Sequence, residues 1–442
     1  MRAKRSLLLL LCCLPLLITG CYDRRELEEM AMVLALGLDS GQQSRYAVTA
    51  VVAIPSKMAG GKGGGGEGKP TMLTTVEAPT VAGAIALLNT YIDRRISLMH
   101  LKGLFMAEDL AKESGLTVMD EFVRMREARR TIFYIVIKGK AAKFLDKMNP
   151  QLEKDPQRFI EQMTASYQRT GMIPAASQIQ TFVTTVNTGY AQPLAYYAAI
   201  KEGEEGGDKG GGDKEKGGGE KGEGGGTGAV SKTPEGKDPE STRPIDRQFR
   251  AGEIPRKGGP NLEIIGAAAF RRDRMVGALS GQEMRLVLML QNRFRRGIVT
   301  IPDPATEDAA VSVDLRRGKP TSITVSLGGS RPKIRGVVNL EGEITGMEGV
   351  KLDYTEPENQ PKLEAALSSK LEGDIAALVK KTQDWNADVM GFGTRVVRQY
   401  PTVAAWEAAD WPNHYKDADI QIDVQVTLRR FGLQLSPPRA AQ

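Results

Sequence analysis

The sequence predicts an α+β protein of two to three small domains, with mixed β-sheets flanked by helices, behind a leader that is cut away. Three observations carry this. Short β-branched and aliphatic runs are interleaved with stretches of helical periodicity, in an order that lacks the strict βα alternation of a doubly wound sheet. A glycine- and charge-rich stretch after residue 200 separates two such regions. The 442 residues, 41% hydrophobic and 26% charged, suffice for real cores on both sides of it.

Arg2, Lys4 and Arg5 open the chain, and Leu7 to Leu17 is apolar apart from Pro15, too short a run to cross a hydrocarbon layer of roughly 30 Å as a helix. Residues 1–20 therefore read as a signal peptide. Ile18-Thr19-Gly20-Cys21 closes it with a large aliphatic residue, two small ones and a cysteine, which resembles the bacterial lipobox. Cys21 is the expected lipidation site and the new N-terminus. Anchoring by a diacylglyceryl group is stable where a single chain is marginal, because each buried CH₂ contributes about 0.8 kcal/mol. The chain has only Cys12, Cys13 and Cys21, so the mature protein has no thiol pair for a disulfide or a thiolate metal site. Loss of Arg2, Lys4 and Arg5 lowers the formal charge from +6 to +3, too little to argue for nucleic acid.

Met32 to Leu38 and Tyr46 to Ile54 read as a hairpin around the polar Asp39 to Ser44. Gly63 to Lys69 has the G-x-x-x-x-G-K spacing of a phosphate-binding loop, but Pro70 stands where Ser or Thr would hold Mg²⁺, and Thr71 to Val76 is extended rather than helical. That stretch reads as a glycine-rich hairpin tip. Val81, Ile85, Leu88 and Ile92 repeat at helical spacing behind Pro79 and Thr80. Leu101 to Ala107 reads as strand, Leu110 to Arg130 as helix broken at Gly115, Thr131 to Lys138 as strand and Ala141 to Met148 as helix. Phe159 to Tyr167 and Ser177 to Thr185 add two helices, and Leu194 to Ile200 is extended.

The expected organisation is an N-terminal α+β region at 21–200, with a subdivision near 150 allowed, a flexible linker at 201–260 and a C-terminal α+β domain at 261–434. Lys201 to Glu240 is nearly all Gly, Glu, Lys and Asp and cannot offset the entropy cost of ordering. Beyond it, Leu262 to Phe270 and a strand ending at Ala278 precede Ser280, which caps a helix with Glu283 in the reciprocal position and points Leu286, Met289 and Leu290 to the core. Ala310 to Leu315 and Ser322 to Leu327 read as a hairpin turning at Arg317-Gly318-Lys319-Pro320, and Ile334 to Ile344 as a third strand. Leu363, Leu367, Leu371, Ile375 and Leu378 stripe a long helix, and Val389, Phe392, Val396 and Tyr400 stripe a second one over Ala387 to Gln399. Ile420 to Leu428 alternates strictly, as a strand with one wet face does.

Residues able to do chemistry are few. His100 has no second histidine near it and no H-x-x-x-H spacing, so it reads as structural. The Arg124, Arg126, Glu127, Arg129, Arg130 cluster reads as a solvated helix face, with a docking patch as its functional alternative. Asp384, Asp388 and Glu407 are nominal carboxylates for a hydrolase, but helix ends explain them more simply, and G-x-S-x-G, H-E-x-x-H and a reactive cysteine are all lacking. No catalytic, metal or cofactor residues are expected. Gly391 and Gly393 flank Phe392 in a segment of otherwise helical pattern, at a cost of about 1 kcal/mol each relative to Ala. With Trp406 they are the structural or partner-surface candidates.

Several patterns converge on one family. Cys21-Tyr22-Asp23-Arg24-Arg25-Glu26 resembles the "C-W-D-R-R-E" start of the Ger(x)C lipoproteins, the C subunits of spore nutrient-germinant receptors, with Tyr22 where Trp is usual. Gly266 to Ser280, through Ala269-Phe270 and Val276-Gly277-Ala278-Leu279, resembles a second family segment. Asp388-Val389-Met390-Gly391-Phe392-Gly393, followed by Arg398, Tyr400-Pro401 and Trp406, resembles the C-terminal signature. The resemblance implies about three small α+β domains. It implies a non-enzymatic, palmitate-type lipoprotein on the outer face of the spore inner membrane, acting with integral-membrane A and B type subunits to trigger germination. A solute-binding lipoprotein of a transporter is the alternative, and it would require two doubly wound parallel lobes.

Overall fold

The computed structural model describes residues 26–58, 69–148, 153, 156–201, 248–327 and 331–431. The signal peptide, Cys21, the Gly63 to Gly68 part of the glycine-rich tip and most of the 201–260 linker lie outside the described residues. The chain is α+β, and it divides into two compact units. The first comprises Met1–Thr164, Ala176–Asn187 and Arg272–Met275; the second comprises Ala165–Ala175, Thr188–Arg271 and Val276–Gln442.

In the first unit, β1 (Met30–Ser40), β2 (Tyr46–Ala53) and β3 (Thr71–Ala78) form an antiparallel meander, and β4 (Arg95–Ser97), β5 (Gly103–Ala107) and β6 (Phe133–Lys138) add parallel pairings. The order is β3-β2-β1-β5-β6, with β4 beside the start of β1. β1 and β2 are buried along nearly their whole length because they are aliphatic on both faces, as interior strands must be. The helix Val81–Tyr91 starts where Thr80 Oγ1 accepts the Gly83 N–H at 2.9 Å. The buried Asp39, at the end of β1, accepts the first N–H groups of the helix Ala141–Lys147, from Ala141 at 2.8 Å and Ala142 at 2.9 Å. Half-buried Glu77 accepts from the backbone N–H groups of Gln42, Gln43 and Ser44, which closes the β1–β2 turn and holds its carboxyl below the ordinary value. The helix expected over Leu110 to Arg130 is broken at Gly115 as expected, into Glu108–Glu113 and Leu116–Arg124, but it ends early, and the chain is irregular from Met125 to Arg130.

The second unit contains β7 (Leu194–Ile200), antiparallel to β8 (Leu262–Arg271), and the Val276–Leu279 part of β9 (Arg274–Leu279), which neighbours β8. Its other sheet is built from β10 (Arg296–Pro302), β11 (Ala310–Arg317), β12 (Ser322–Ser326), β13 (Lys333–Glu348) and β14 (Asp419–Arg430). β10 has no counterpart in the sequence-based expectation. The expected hairpin of β11 and β12 does not form. Arg317 sits opposite Leu340 and Ser322 opposite Val337, so both strands run the same way along the 16-residue β13. Arg317 to Pro320 is an interruption in one long path. Pro320 has no N–H to give the ladder, yet β13 still offers partners beyond it, so the chain resumes its direction.

The helix Gly281–Leu290 opens with the expected capping box: Ser280 Oγ accepts from Glu283 N at 3.1 Å, and Glu283 Oε2 accepts from Ser280 N at 2.7 Å. The long helix Gln360–Asp384 buries the predicted leucine and isoleucine stripe against β14, whose alternate side chains from Ile422 to Leu428 are buried. The same helix reaches the outer edge of β14. Glu372 accepts from Val424 N at 2.8 Å, Ser368 from Val426 N at 3.3 Å and Glu364 from Leu428 N at 2.7 Å. These three side chains recur every four residues, one helical turn, while the N–H groups recur every two along the strand.

Candidate functional site

The candidate residues Gly391, Phe392, Gly393 and Trp406 lie within the second unit, in a segment organised by Asp388. The long helix stops in a Schellman pattern. Asn386 takes a left-handed φ of 49°, its N–H bonds to Gln383 O at 2.9 Å, and the next N–H, of Ala387, reaches Thr382 O at 2.9 Å. Asp388 then turns inward. Its Oδ1 accepts the N–H groups of Gly391 at 2.8 Å and Phe392 at 3.0 Å, and its Oδ2 accepts those of Gly393 at 2.7 Å and the Trp411 indole at 3.0 Å. Its backbone carbonyl takes the Gln192 N–H at 2.9 Å.

This explains why the helix expected over Ala387 to Gln399 is not continuous. An aspartate that collects the backbone N–H groups three to five residues ahead competes with the helical ladder and favours a turn. Gly391, at φ 77°, supplies the left-handed residue of that turn, and helix resumes only as Gly393–Val396 and a 3₁₀ turn at Val397–Gln399. Gly393 answers a different need: a Cβ there would stand 2.3 Å from Tyr190 O and 2.6 Å from Trp411 Cδ1.

Asp388 is buried and, among the described residues, pairs with no cation. Burial pushes its carboxyl above the ordinary value, while the N–H donors, that of Gly393 first, pull it back. With both oxygens occupied by four donors, it has no lone pair left for acid or base work. Asp384 and Glu407 are exposed, so the three nominal carboxylates do not form a shared site.

Around this anchor the aromatic rings interlock. Phe392 is buried and stacks with Tyr415 at 6.5 Å between centroids, and Trp411 lies 6.0 Å from the same ring. The Tyr415 hydroxyl meets Thr382 Oγ1 at 2.7 Å, and burial drives the phenol well above its ordinary pKa. Trp406, also buried, meets Tyr190 edge-on at 5.6 Å and Tyr400 at 6.0 Å. Its helix, Val403–Ala409, presents Val403 to solvent at 66% exposure. The sequence reading missed Trp411, Tyr415 and Gln192. The available signal was Asp388 with Gly391 and Gly393 three and five residues on, the signature of a side-chain-capped turn.

Other residues of sequence interest stay apart. His100 is exposed and its carbonyl accepts from the Gln157 side chain. Arg124 pairs with Asp120 at 2.7 Å on an exposed surface. No group of three or more His, Cys, Asp or Glu among the described residues has metal-binding geometry.

Two family models match in succession, the "Spore germination protein N-terminal domain" over residues 23–200 and "Spore germination B3/ GerAC like, C-terminal" over residues 265–432. The chain belongs to the GerAC-like spore germination proteins. Similar members include spore germination protein KC of Bacillus subtilis, 25% identical with 98% of both chains covered, and the putative spore germination protein YfkR of the same organism, 23% identical with 96% of both covered. The crystal structure of the GerBC protein is similar at a TM-score of 0.49 and 16% identity, covering 89% of this chain and 96% of that one. In this GerAC-like chain the Asp388 turn and the Trp411 ring it holds both fall inside the C-terminal match.

Proposed function

We propose that this GerAC-like protein is a lipid-anchored, non-enzymatic subunit of a spore nutrient-germinant receptor, held by Cys21 on the outer face of the spore inner membrane. It works there with two membrane-spanning subunits, of the A and B type, to trigger germination. The observation that carries this reading is the succession of lipobox, N-terminal family match and C-terminal family match along one chain. No described helix is long and apolar enough to cross a membrane, consistent with attachment through a lipid. The spans of the two matches also support an N-terminal region at 21–200, a linker at 201–260 and a C-terminal domain at 261–434. The one buried carboxylate in the candidate segment serves as a turn-forming acceptor, which supports a scaffolding role for this segment.

The test has two arms. Purification of the tagged protein from spore membranes should bring down two multi-span proteins, and mass spectrometry of its N-terminus should show acylated Cys21. Cys21→Ala should leave the chain without an acyl adduct and abolish co-purification. Normal processing of that variant, with no acyl mass on the wild type, would overturn the anchor; an acylated protein that purifies alone would overturn the receptor role.

A further inference from the structure

Arg285, in the middle of the helix Gly281–Leu290, is 4% exposed, and no carboxylate of the described residues pairs with it. Its Nε donates to Thr170 O at 3.2 Å and one terminal nitrogen donates to Ile298 O at 2.8 Å, so two of the five donors of a guanidinium have protein partners. Those two bonds fix the plane of the fork. The side chain runs through a slot that Gly297 keeps open, where a Cβ would lie 3.0 Å from Arg285 Nε and 2.6 Å from Thr170 O.

Arg285 lines a cavity of about 230 Å³ within the second unit. Gln248, Gln282 and Thr300 contribute polar groups to its wall, and Leu286, Val299 and Leu371 make much of the rest apolar. At about 30 Å³ per water-sized group, the space holds a molecule of roughly eight non-hydrogen atoms. The wall also contains a carboxylate, Asp374, but Lys370 holds both of its oxygens at 2.9 Å, so it offers no countercharge to spare. A buried cation without a counter-ion is destabilising unless something supplies the missing charge. Burial accordingly lowers the Arg285 pKa to about 10.

We infer that this cavity binds a small organic carboxylate, its two oxygens on the Arg285 fork and its hydrocarbon body against Leu286, Val299 and Leu371. A bidentate guanidinium–carboxylate pair in a partly apolar cavity is charge-assisted and geometrically selective, and it disfavours the neutral amide of the same shape. The inference is independent of the receptor reading, since it rests on the cavity alone.

The test uses the full-length chain in detergent, titrated with butyrate, with its isostere butyramide and with chloride as the salt control, while melting is followed by tryptophan fluorescence. Butyrate at ten times its Kd should raise Tm by about 3 °C over the chloride control. Butyramide should bind roughly tenfold more weakly or not at all. Arg285→Lys, which keeps the charge and loses the fork, should weaken butyrate binding roughly tenfold, and Arg285→Met should abolish it. If the methionine variant does not fold, the lysine variant and the butyrate–butyramide pair decide. Equal shifts from butyrate, butyramide and chloride, or unchanged butyrate affinity in Arg285→Lys, would overturn the inference and leave Arg285 as a tie between the Thr170 turn and β10.

Discussion

Alanine at Gly391 and at Gly393 should separate two physical reasons for glycine that lie two residues apart. At Gly391 the backbone φ is 77° and the nearest atom to a new Cβ, that of Ala191, stands 3.6 Å away, so there is room but the conformation is unfavourable. The cost is the left-handed penalty alone, about 1 to 2 kcal/mol. At Gly393 the conformation is ordinary but the space is taken, by Tyr190 O at 2.3 Å and Trp411 Cδ1 at 2.6 Å. The backbone carbonyl cannot swing away, so the indole must move, and it carries off the N–H that Asp388 accepts at 3.0 Å. Losing a hydrogen bond to a buried carboxylate costs about 1.5 to 3 kcal/mol, and overpacking adds about 1 to 3, giving roughly 2.5 to 6 kcal/mol in all. Equilibrium urea unfolding with tryptophan emission as the probe reports both quantities, and Trp411 itself sits at the perturbed position. A Gly391→Ala variant as unstable as Gly393→Ala, or a Gly393→Ala variant with wild-type midpoint, would refute the reasoning. Receptor assembly in spores, scored on the milder Gly391→Ala protein, then shows whether the turn also contributes to a partner surface.

Asp388→Asn should cost about 3 to 5 kcal/mol even though it removes a buried charge, because one carboxylate oxygen becomes an NH₂ facing two N–H donors in either orientation; unfolding midpoints against wild type measure it. Phe392→Ala removes a buried ring stacked on Tyr415 and should cost about 3 to 5 kcal/mol by the same assay. Glu77 has its folded pKa lowered below 4.5 by the turn N–H groups, so its contribution is present above that pH and lost as pH falls through the depressed folded value. Melting curves of Glu77→Gln and wild type should therefore differ near neutrality and converge at the acid end, and a constant gap across the range would contradict the assignment. Ser280→Ala breaks the capping box and should lower stability by about 1 kcal/mol, read from the urea midpoint.

Where one physical signal dominates locally, the sequence was readable. Strict alternation from Ile420 to Leu428, the stripe from Leu363 to Leu378 and the Ser280–Glu283 pair each name an element without help from elsewhere, and β7 spans Leu194–Ile200 as expected. The failures occur where two signals compete or the deciding partner is distant. The Val389, Phe392 and Val396 spacing is helical, and all three side chains are buried, but the Asp388 carboxylate takes the N–H groups that a helix would need. Gly318 and Pro320 are turn residues by any local rule, yet β13 is long enough to carry the chain past them in the same direction. β10 went unseen because Arg295 and Arg296 mask a short alternating run whose pairing is with β11. In the candidate segment, sequence reasoning found the glycines, Phe392 and Trp406, while Trp411 and Gln192, which complete the Asp388 network, lie 23 residues after it and far before it.

The row of Glu364, Ser368 and Glu372 over the edge of β14 gives the long helix a second occupation. Besides burying its stripe, it stands in for a missing neighbour strand along the middle of β14, answering the N–H groups of Val424, Val426 and Leu428 with side-chain oxygens. A β-sheet edge is ordinarily an invitation, since any extended chain with carbonyls at the right pitch can bind it. From Val424 to Leu428 the invitation is withdrawn, and a strand from another molecule would have to displace two carboxylates and a hydroxyl to pair there. A helix that doubles as a sheath therefore keeps that stretch of β14 from being knitted to a strand of another copy.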